Sequence, residues 1–281
     1  TGWPQRPKVI WTSNAENSDD LFKAYAAEKV EKGSPLVIGQ HGGHYGMGLW
    51  SFSEDHHLAI SDRYFSWGWT EGQQSKIRPM GRLKQKKRLV INHAKQNRLL
   101  LVTTTIPRYS YWMYSSCVSR QWLDYLNDQF AFCLALTPKL RTALKVRLYS
   151  KDYNWEQLRR WKDHWPDLEL DPGKQKIDNL MRECRIYVSS YNATTYLESF
   201  TMNVPTVIFW NPRHWELRDS AKPYFEVLKE VGIFHENPES AAHHIINIWD
   251  NVDKWWTSKP VSDAVNQFCE RYSKTSKDIV H

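Results

Sequence analysis

Arg185–Pro212, RIYVSSYNATTYLESFTMNVPTVIFWNP, decides how this chain is read. It opens on a short β-rich run, Ile186-Tyr187-Val188, and passes through Ser189, Ser190, Asn192, Thr194 and Thr195. A helix-length segment follows, apolar at Tyr196, Leu197, Phe200 and Met202 and stopped by Asn203. Pro205 then leads into a second apolar run, Thr206–Trp210. Strand, polar turn, helix and strand make half of a parallel α/β unit. In such a unit the first turn of the helix points unpaired N–H groups and the positive end of its dipole beyond the strand, and hydroxyls add donors. A diphosphate or phosphodiester fits there; equally, Ser, Thr and Asn can do no more than cap the helix.

The pattern repeats on both sides. Upstream, Leu99–Val102 reads as a strand, Thr103–Ser110 as its loop, and a helix carries Trp122, Leu123, Leu126, Phe130 and Leu134. A strand within Ala143–Tyr149 ends near Arg147, and is followed by a helix at Trp155–Trp165, a short strand at Leu168–Leu170 and a helix at Ile177–Cys184. Downstream come a polar loop, Asn211–Asp219, a helix at Tyr224–Val231, a short edge strand at Gly232–Phe234, and terminal helices in Pro238–Trp256 and Val265–Tyr272. Nearer the start, strands at Lys8–Thr12 and Pro35–Ile38 flank a helix at Asp19–Lys32, its apolar face Leu21, Phe22, Tyr25, Ala26 and Val30. The segment Glu54–Trp69 continues the series, and Arg78-Pro79-Met80-Gly81 reads as its last turn. The expected fold is α/β, with two Rossmann-like domains facing a cleft: residues 1–83, a linker 84–98 that opens on the basic run Lys84–Arg88, and residues 99–281. The chain starts at Thr1 and enters a buried-looking strand almost at once, so the N-terminal domain reads as incomplete.

Composition bounds the function. The 281 residues are 41% hydrophobic and 25% charged, with no apolar run near the ~20 residues that span a bilayer. No cleavable signal pattern is present, so the expectation is a cytoplasmic chain, with peripheral association at the inner membrane as an option. Cys117, Cys133, Cys184 and Cys269 have no CxxC or Cys/His spacing and read as reduced thiols. The net charge of +7 suits an anionic partner, but basic residues are interspersed with acids, which disfavours nucleic acid. No phosphate loop, GxGxxG, HExxH, GxSxG or Asp-x-Asp appears, which removes kinases, metallohydrolases and serine hydrolases. A metal-independent transferase survives.

Three strand-end loops could carry chemistry. Gly39–Gly46 sets His41 and His44 among glycines, Gly42 and Gly43 included, that permit close backbone approach; a histidine there can serve as general base toward a hydroxyl. Arg147 at a strand terminus can grip a departing phosphate bidentately, or make an ordinary salt bridge. Asn192, Thr194 and Thr195 offer themselves to phosphate, with Glu198 one turn on for ribose hydroxyls. Were group transfer to pass through a covalent adduct, Glu54 or Asp55 could supply the carboxylate.

The runs PLVIGQHGGHYG, SDRYFSWGW, VRLYSKDY and SYNATTYLESFTMNVPTVIFWNPRHWELRDSA resemble a family of bacterial transferases encoded among O-antigen and surface-polysaccharide genes, across nearly the whole chain. More distantly the layout is similar to glycosyltransferases of the two-Rossmann (GT-B) type, including bacterial Kdo transferases and the teichoic-acid polymerases with a His-Gly loop. The resemblance implies a donor nucleotide held by the C-terminal domain, with Arg147 and Ser190–Thr195 at phosphate and Glu198 at ribose. The acceptor would sit on the N-terminal domain with His41 near the reacting centre. Two departures stand out: many relatives carry His-Pro where this chain reads Leu148-Tyr149, and the spaced pair of glutamates of some GT-B families is missing, since Ser190 stands where the first would be.

The expected activity is thus metal-independent transfer of a sugar from a nucleotide-sugar donor, CMP-linked among the options, to a lipid- or saccharide-linked acceptor of O-antigen, lipopolysaccharide or capsule. No cofactor is expected beyond that substrate. The alternatives are transfer of a polyol phosphate from a CDP-linked donor, and a non-catalytic nucleotide- or sugar-binding module of a larger polymerase.

Overall fold

Two all-parallel sheets organise the chain in the computed structural model, which describes residues 2–72, 76–83, 87–90, 92–110 and 113–275. The first sheet takes β1 (Ile10–Thr12), β2 (Leu36–Gly39), β3 (Arg63–Ser66) and β4 (Ile77–Pro79) in that order. The short α1 (Ala15–Ser18) and α2 (Asp20–Glu31) join β1 to β2, and α3 (Phe52–Ile60) joins β2 to β3. Every residue of β2 is buried, as expected of an uninterrupted apolar run covered on both faces. Helix α2 starts where the Asp19 carboxylate accepts the Phe22 N–H at 3.0 Å, an N-cap.

Two expectations for this half are corrected. Arg78–Gly81 is not a turn: Ile77, Arg78 and Pro79 pair in register with Tyr64, Phe65 and Ser66 as a parallel edge strand. Pro79 lacks an N–H, which an edge position tolerates. On α2, Ala26 is buried but Leu21 is 71% exposed and Val30 is open to solvent, so the buried stripe is narrower than the periodicity implies.

The second sheet is built from β5 (Leu99–Val102), β6 (Leu144–Arg147), β7 (Glu169–Asp171), β8 (Ile186–Ser189), β9 (Thr206–Phe209) and β10 (Phe234–His235), in the order β10-β9-β8-β5-β6-β7. Its connections are α4 (Gln121–Ala135) with the short α5 (Pro138–Ala143), then α6 (Gln157–His164), α7 (Ile177–Glu183), α8 (Thr194–Met202) and α9 (Lys222–Glu230). Helices α10 (Pro238–Ile248), α11 (Val252–Trp256) and α12 (Lys259–Tyr272) follow the last strand. Strand order runs outward in both directions from the β5–β8 pair, so the crevice beyond the carboxyl ends of those two strands is the topological switch point of a doubly wound sheet.

The two halves are joined by more than one strap. Antiparallel bridges link Gly48 to Leu217 and Ser51 to Tyr114. After α12 the chain returns to the first half, where the Lys274 N–H donates to Trp67 O and the Arg82 N–H to Lys274 O, both at 2.8 Å. In the presumptive linker, Lys84, Gln85, Lys86 and Ile91 lie outside the described residues. Its remainder is docked: Leu89 is buried and its N–H reaches Met202 O at 2.8 Å, while the His93 Nδ1 donates to Cys184 O at 2.7 Å.

Candidate functional site

Gln40 pins the glycine-rich loop that leaves β2. Its Nε2 donates to Gly42 O at 2.7 Å, and its Oε1 accepts from Trp67 N–H and Trp69 Nε1, both at 2.8 Å. At the far end of the loop Gly46, at φ +74°, donates its N–H to Glu54 at 2.6 Å, and a Cβ there would strike the Trp69 ring. Between these anchors Gly43 presses on the other half of the molecule. Its N–H donates to Thr194 Oγ1 at 3.0 Å, and a Cβ at this position would lie 2.7 Å from the Ala193 and Thr194 backbone.

That contact falls on the first turn of α8, immediately after β8. The helix has no side-chain cap, so its N-terminal N–H groups carry the partial positive charge of the helix end. The polar side chains preceding it are committed inward. Ser190 is fully buried, donates to Val102 O at 3.2 Å and lies 2.8 Å from the Tyr125 hydroxyl. Asn192 Oδ1 accepts from Tyr196, and Thr195 Oγ1 accepts from Tyr187 at 2.8 Å with Tyr191 at 3.1 Å. Thr194 reaches across to Gly43.

The remaining residues singled out in the sequence have equally definite positions. Arg147, at the end of β6, lies 3.6 Å from Asp171 and donates to Gln175 O at 3.2 Å. Glu198 pairs with Arg82 at 3.2 Å, and Arg82 also donates to Ser273 Oγ and stacks over Trp67. His41 stands at the exposed rim of the loop, its Nε2 3.5 Å from the Tyr45 hydroxyl. Desolvation by its packed neighbours, and then His57, hold its imidazole below the ordinary value. His44 points inward; its Nε2 is sealed from solvent without a partner, and burial lowers it to about 3.

Glu54 is not available to a sugar. It is 1% exposed, and its second oxygen accepts from Arg218 at 2.7 Å. Arg218, from the loop after β9, also donates to Gly48 O and to Glu71, and so locks the second half to the base of the histidine loop. Sequence reasoning missed Arg218 and Gln40, and a buried pair behind His41, Glu16 Oε1 with His57 Nε2 at 3.0 Å. No local signal marks these residues, because each finds its partner only through the fold.

A cavity of about 460 Å³ lined by Leu148, Tyr149, Asp152, Gln157 and Pro172 opens at the carboxyl ends of β6 and β7, the edge on which Arg147 sits. A cavity of about 480 Å³ between Arg98, Thr142, Glu169 and Glu183 opens at the opposite, amino ends of the strands and cannot share a ligand with the histidine loop. Three non-glycine residues of the β6–α6 loop, Tyr153, Asn154 and Glu156, adopt left-handed conformations at φ 50°, 63° and 53°. The Asp152 carboxylate holds the loop by accepting the Glu156 and Gln157 N–H groups, both at 2.8 Å. Backbone of this kind persists only where its surroundings over-determine it. Among the described residues no group of three or more His, Cys, Asp or Glu is placed to hold a metal ion.

Among curated proteins none matches this chain. Of solved structures, a protein assigned as a UDP-N-acetylglucosamine 2-epimerase from Listeria monocytogenes is similar in fold, at TM-score 0.51 and 14% identity over 93% of this chain and 72% of its own. The calicheamicin glycosyltransferase CalG4 aligns at TM-score 0.46 and 11% identity over 88% and 66% of the two chains. An H444N variant of the wall teichoic acid polymerase TagF aligns at 0.43 and 10% over 88% and 65%. The two parallel sheets and the similarity to the epimerase-assigned structure make the fold the expected α/β one, with two Rossmann-like domains. Along its whole length, residues 1–281, the sequence matches one family, and the chain belongs to it: the LIC12162 family of transferases.

Proposed function

We propose that this transferase is a metal-independent glycosyltransferase, moving a sugar from a nucleotide-sugar donor to a lipid- or saccharide-linked acceptor in surface-polysaccharide synthesis. The observation that carries the reading is the Gly43–Thr194 contact, which brings the histidine loop onto the uncapped start of α8 at the switch point of the second sheet. In this reading the donor's phosphates lie against the main-chain N–H groups of the first turn of α8. Ser190, Asn192 and Thr195 hold the bend rigid from inside, and Arg147 adds positive charge from the neighbouring strand end. The nucleoside extends toward the β6–β7 cavity beside Tyr149, and Glu198, keyed to Arg82, is the acceptor for ribose hydroxyls.

The reaction then needs two things from the protein, orientation and charge. The acceptor oxygen attacks the anomeric carbon while the bond to the donor phosphate breaks, and the departing nucleotide takes the electron pair. The helix end and Arg147 neutralise the charge that develops on it, and His41 takes the proton from the acceptor hydroxyl. A histidine held below its ordinary pKa is unprotonated near neutrality, the form a base requires.

Calorimetric titration with CMP, UDP and GDP sugars tests the reading, followed by mass spectrometry of products with the one that binds. Binding of one nucleotide class, abolished by exchanges at Arg147, is expected. A folded chain that binds none of them defeats the proposal, and a product that has gained phosphate with a polyol would mean a phosphotransferase instead.

A further inference from the structure

Behind His41 lies a buried acid and base. Glu16 on α1 is 4% exposed and His57 on α3 is fully buried. Thr12 Oγ1 donates to Glu16 Oε2 at 2.6 Å, and Glu16 Oε1 lies 3.0 Å from His57 Nε2. Asn17 Oδ1 stands 3.3 Å from the same nitrogen, while His57 Nδ1 is sealed from solvent without a partner. The His57 ring centroid is 5.9 Å from that of His41 and 5.9 Å from that of Tyr45, and the Tyr45 hydroxyl lies 3.5 Å from His41 Nε2. Burying a carboxylate with an imidazole is no route to stability, since apolar residues of the same volume serve a core as well or better. Elsewhere in this half the core is filled by Ile38, Tyr64 and Ile77. A buried carboxylate–imidazole pair in ring contact with the exposed histidine of the cleft calls for a functional reason.

We propose that Glu16 and His57 form the positioning pair of His41, fixing its ring at the rim of the cleft from behind. The inference rests on the reading of His41 as the base of a transferase. Thr12 and Asn17 hold the pair's geometry, and the edge-to-face ring contacts from His57 through Tyr45 pass that geometry to His41. The titratable groups facing His41 are Glu16 from α1, His57 from α3, and His44 and Tyr45 from its own loop. His57 disfavours a positive charge on His41 and Glu16 favours it, so the two partners act on the base with opposite sign.

Nuclear magnetic resonance titration of the His41 ring resonances needs no substrate and reads this coupling directly. Exchanging His57→Gln removes a group that opposes charge on His41 and raises the His41 midpoint, and Glu16→Gln lowers it. The acid limb of kcat shifts with it, kcat falling about tenfold with KM little changed. Should His57→Gln not fold, Glu16→Gln alone carries the measurement, with the His41 midpoint expected to fall. An unmoved His41 midpoint in folded variants overturns the pair's role even where sugar transfer is demonstrated. A moved midpoint with no turnover of any nucleotide sugar sinks the transferase reading instead.

Discussion

Exchanging Gly43 for alanine adds one methyl group at the point where the histidine loop meets α8. Its Cβ would stand 2.7 Å from Ala193 C and Thr194 Cα, about 0.7 Å inside the 3.4 Å at which ordinary contact begins. Those atoms are backbone and cannot swing aside as a side chain can, so the loop and the helix must separate. Gly43 is not in the left-handed region, so the effect is one of space alone and not of strain in φ. Overpacking of this kind costs about 1–3 kcal/mol, and stretching the 3.0 Å bond from the Gly43 N–H to Thr194 forfeits about another 1 kcal/mol. The expected loss of stability is therefore roughly 2–4 kcal/mol, a fall in Tm of several degrees for a chain of this size. Activity should fall further than stability implies. Displacing a reacting group by about 1 Å can cost on the order of a hundredfold in rate, and the loop carries His41 only two residues before the pivot. The assay is kcat and KM with the productive nucleotide sugar, beside thermal melting and nucleotide titration. Nucleotide affinity should change little, because the donor's contacts are assigned to the second half. If Gly43→Ala melts several degrees lower yet keeps its kcat, the loop is a structural seam and the argument from its contact with α8 is refuted.

Replacing Arg218 with methionine leaves Glu54 buried without its ion-pair partner, which should cost about 3–5 kcal/mol, read as a large drop in denaturation midpoint; adding Glu54→Gln should recover much of it. His44 gives a pH signature. Its imidazole stays neutral in the folded chain down to about 3 but protonates near 6.5 when unfolded, so there is no effect above 6.5, and stability is lost as pH falls from there. At pH 5 the loss is at most ~2 kcal/mol, since the ring edge is partly solvated, and a urea series at pH 5 and pH 8 should show it in the parent and not in His44→Gln. Arg147→Ala should raise the KM for the nucleotide donor and lower kcat by more than any fall in Tm from orphaning buried Asp171 accounts for. A purely structural Arg147, tied only to Asp171 and Gln175, would move Tm and leave the donor's KM alone.

The parts of this fold that could be read in advance are those whose signal is local. A run such as Leu36–Gly39 or Ile186–Ser189 is buried on both faces and announces a strand without reference to anything else, and the turn that follows announces a helix start. Residues with tertiary assignments escaped. Ile77–Pro79 is three residues long and ends on a proline, and only its partnership with Tyr64–Ser66 makes it a strand. Leu21 fits the period of α2 as well as Ala26 does, yet it stands 71% exposed while Ala26 is buried. In the candidate site the division is the same. The glycine loop and the turn before α8 could be named because glycine and hydroxyl residues at strand ends have a local meaning. What the polar side chains bond to could not be known: Ser190, Asn192 and Thr195 turn inward to Tyr125, Tyr196, Tyr187 and Tyr191, and the tyrosines that satisfy them come from β8, the turn after it, α8 and α4. The charged partners are the extreme case. Arg218 looks like one more residue of a polar loop until the bridge between Gly48 and Leu217 aims it at Glu54. Glu16 and His57 are ordinary members of two helices until β1 and β2 pair. Ion pairs of long sequence separation hold the two halves together and stand behind the exposed histidine, so the chemistry of this cleft depends on contacts that exist only once both sheets have formed.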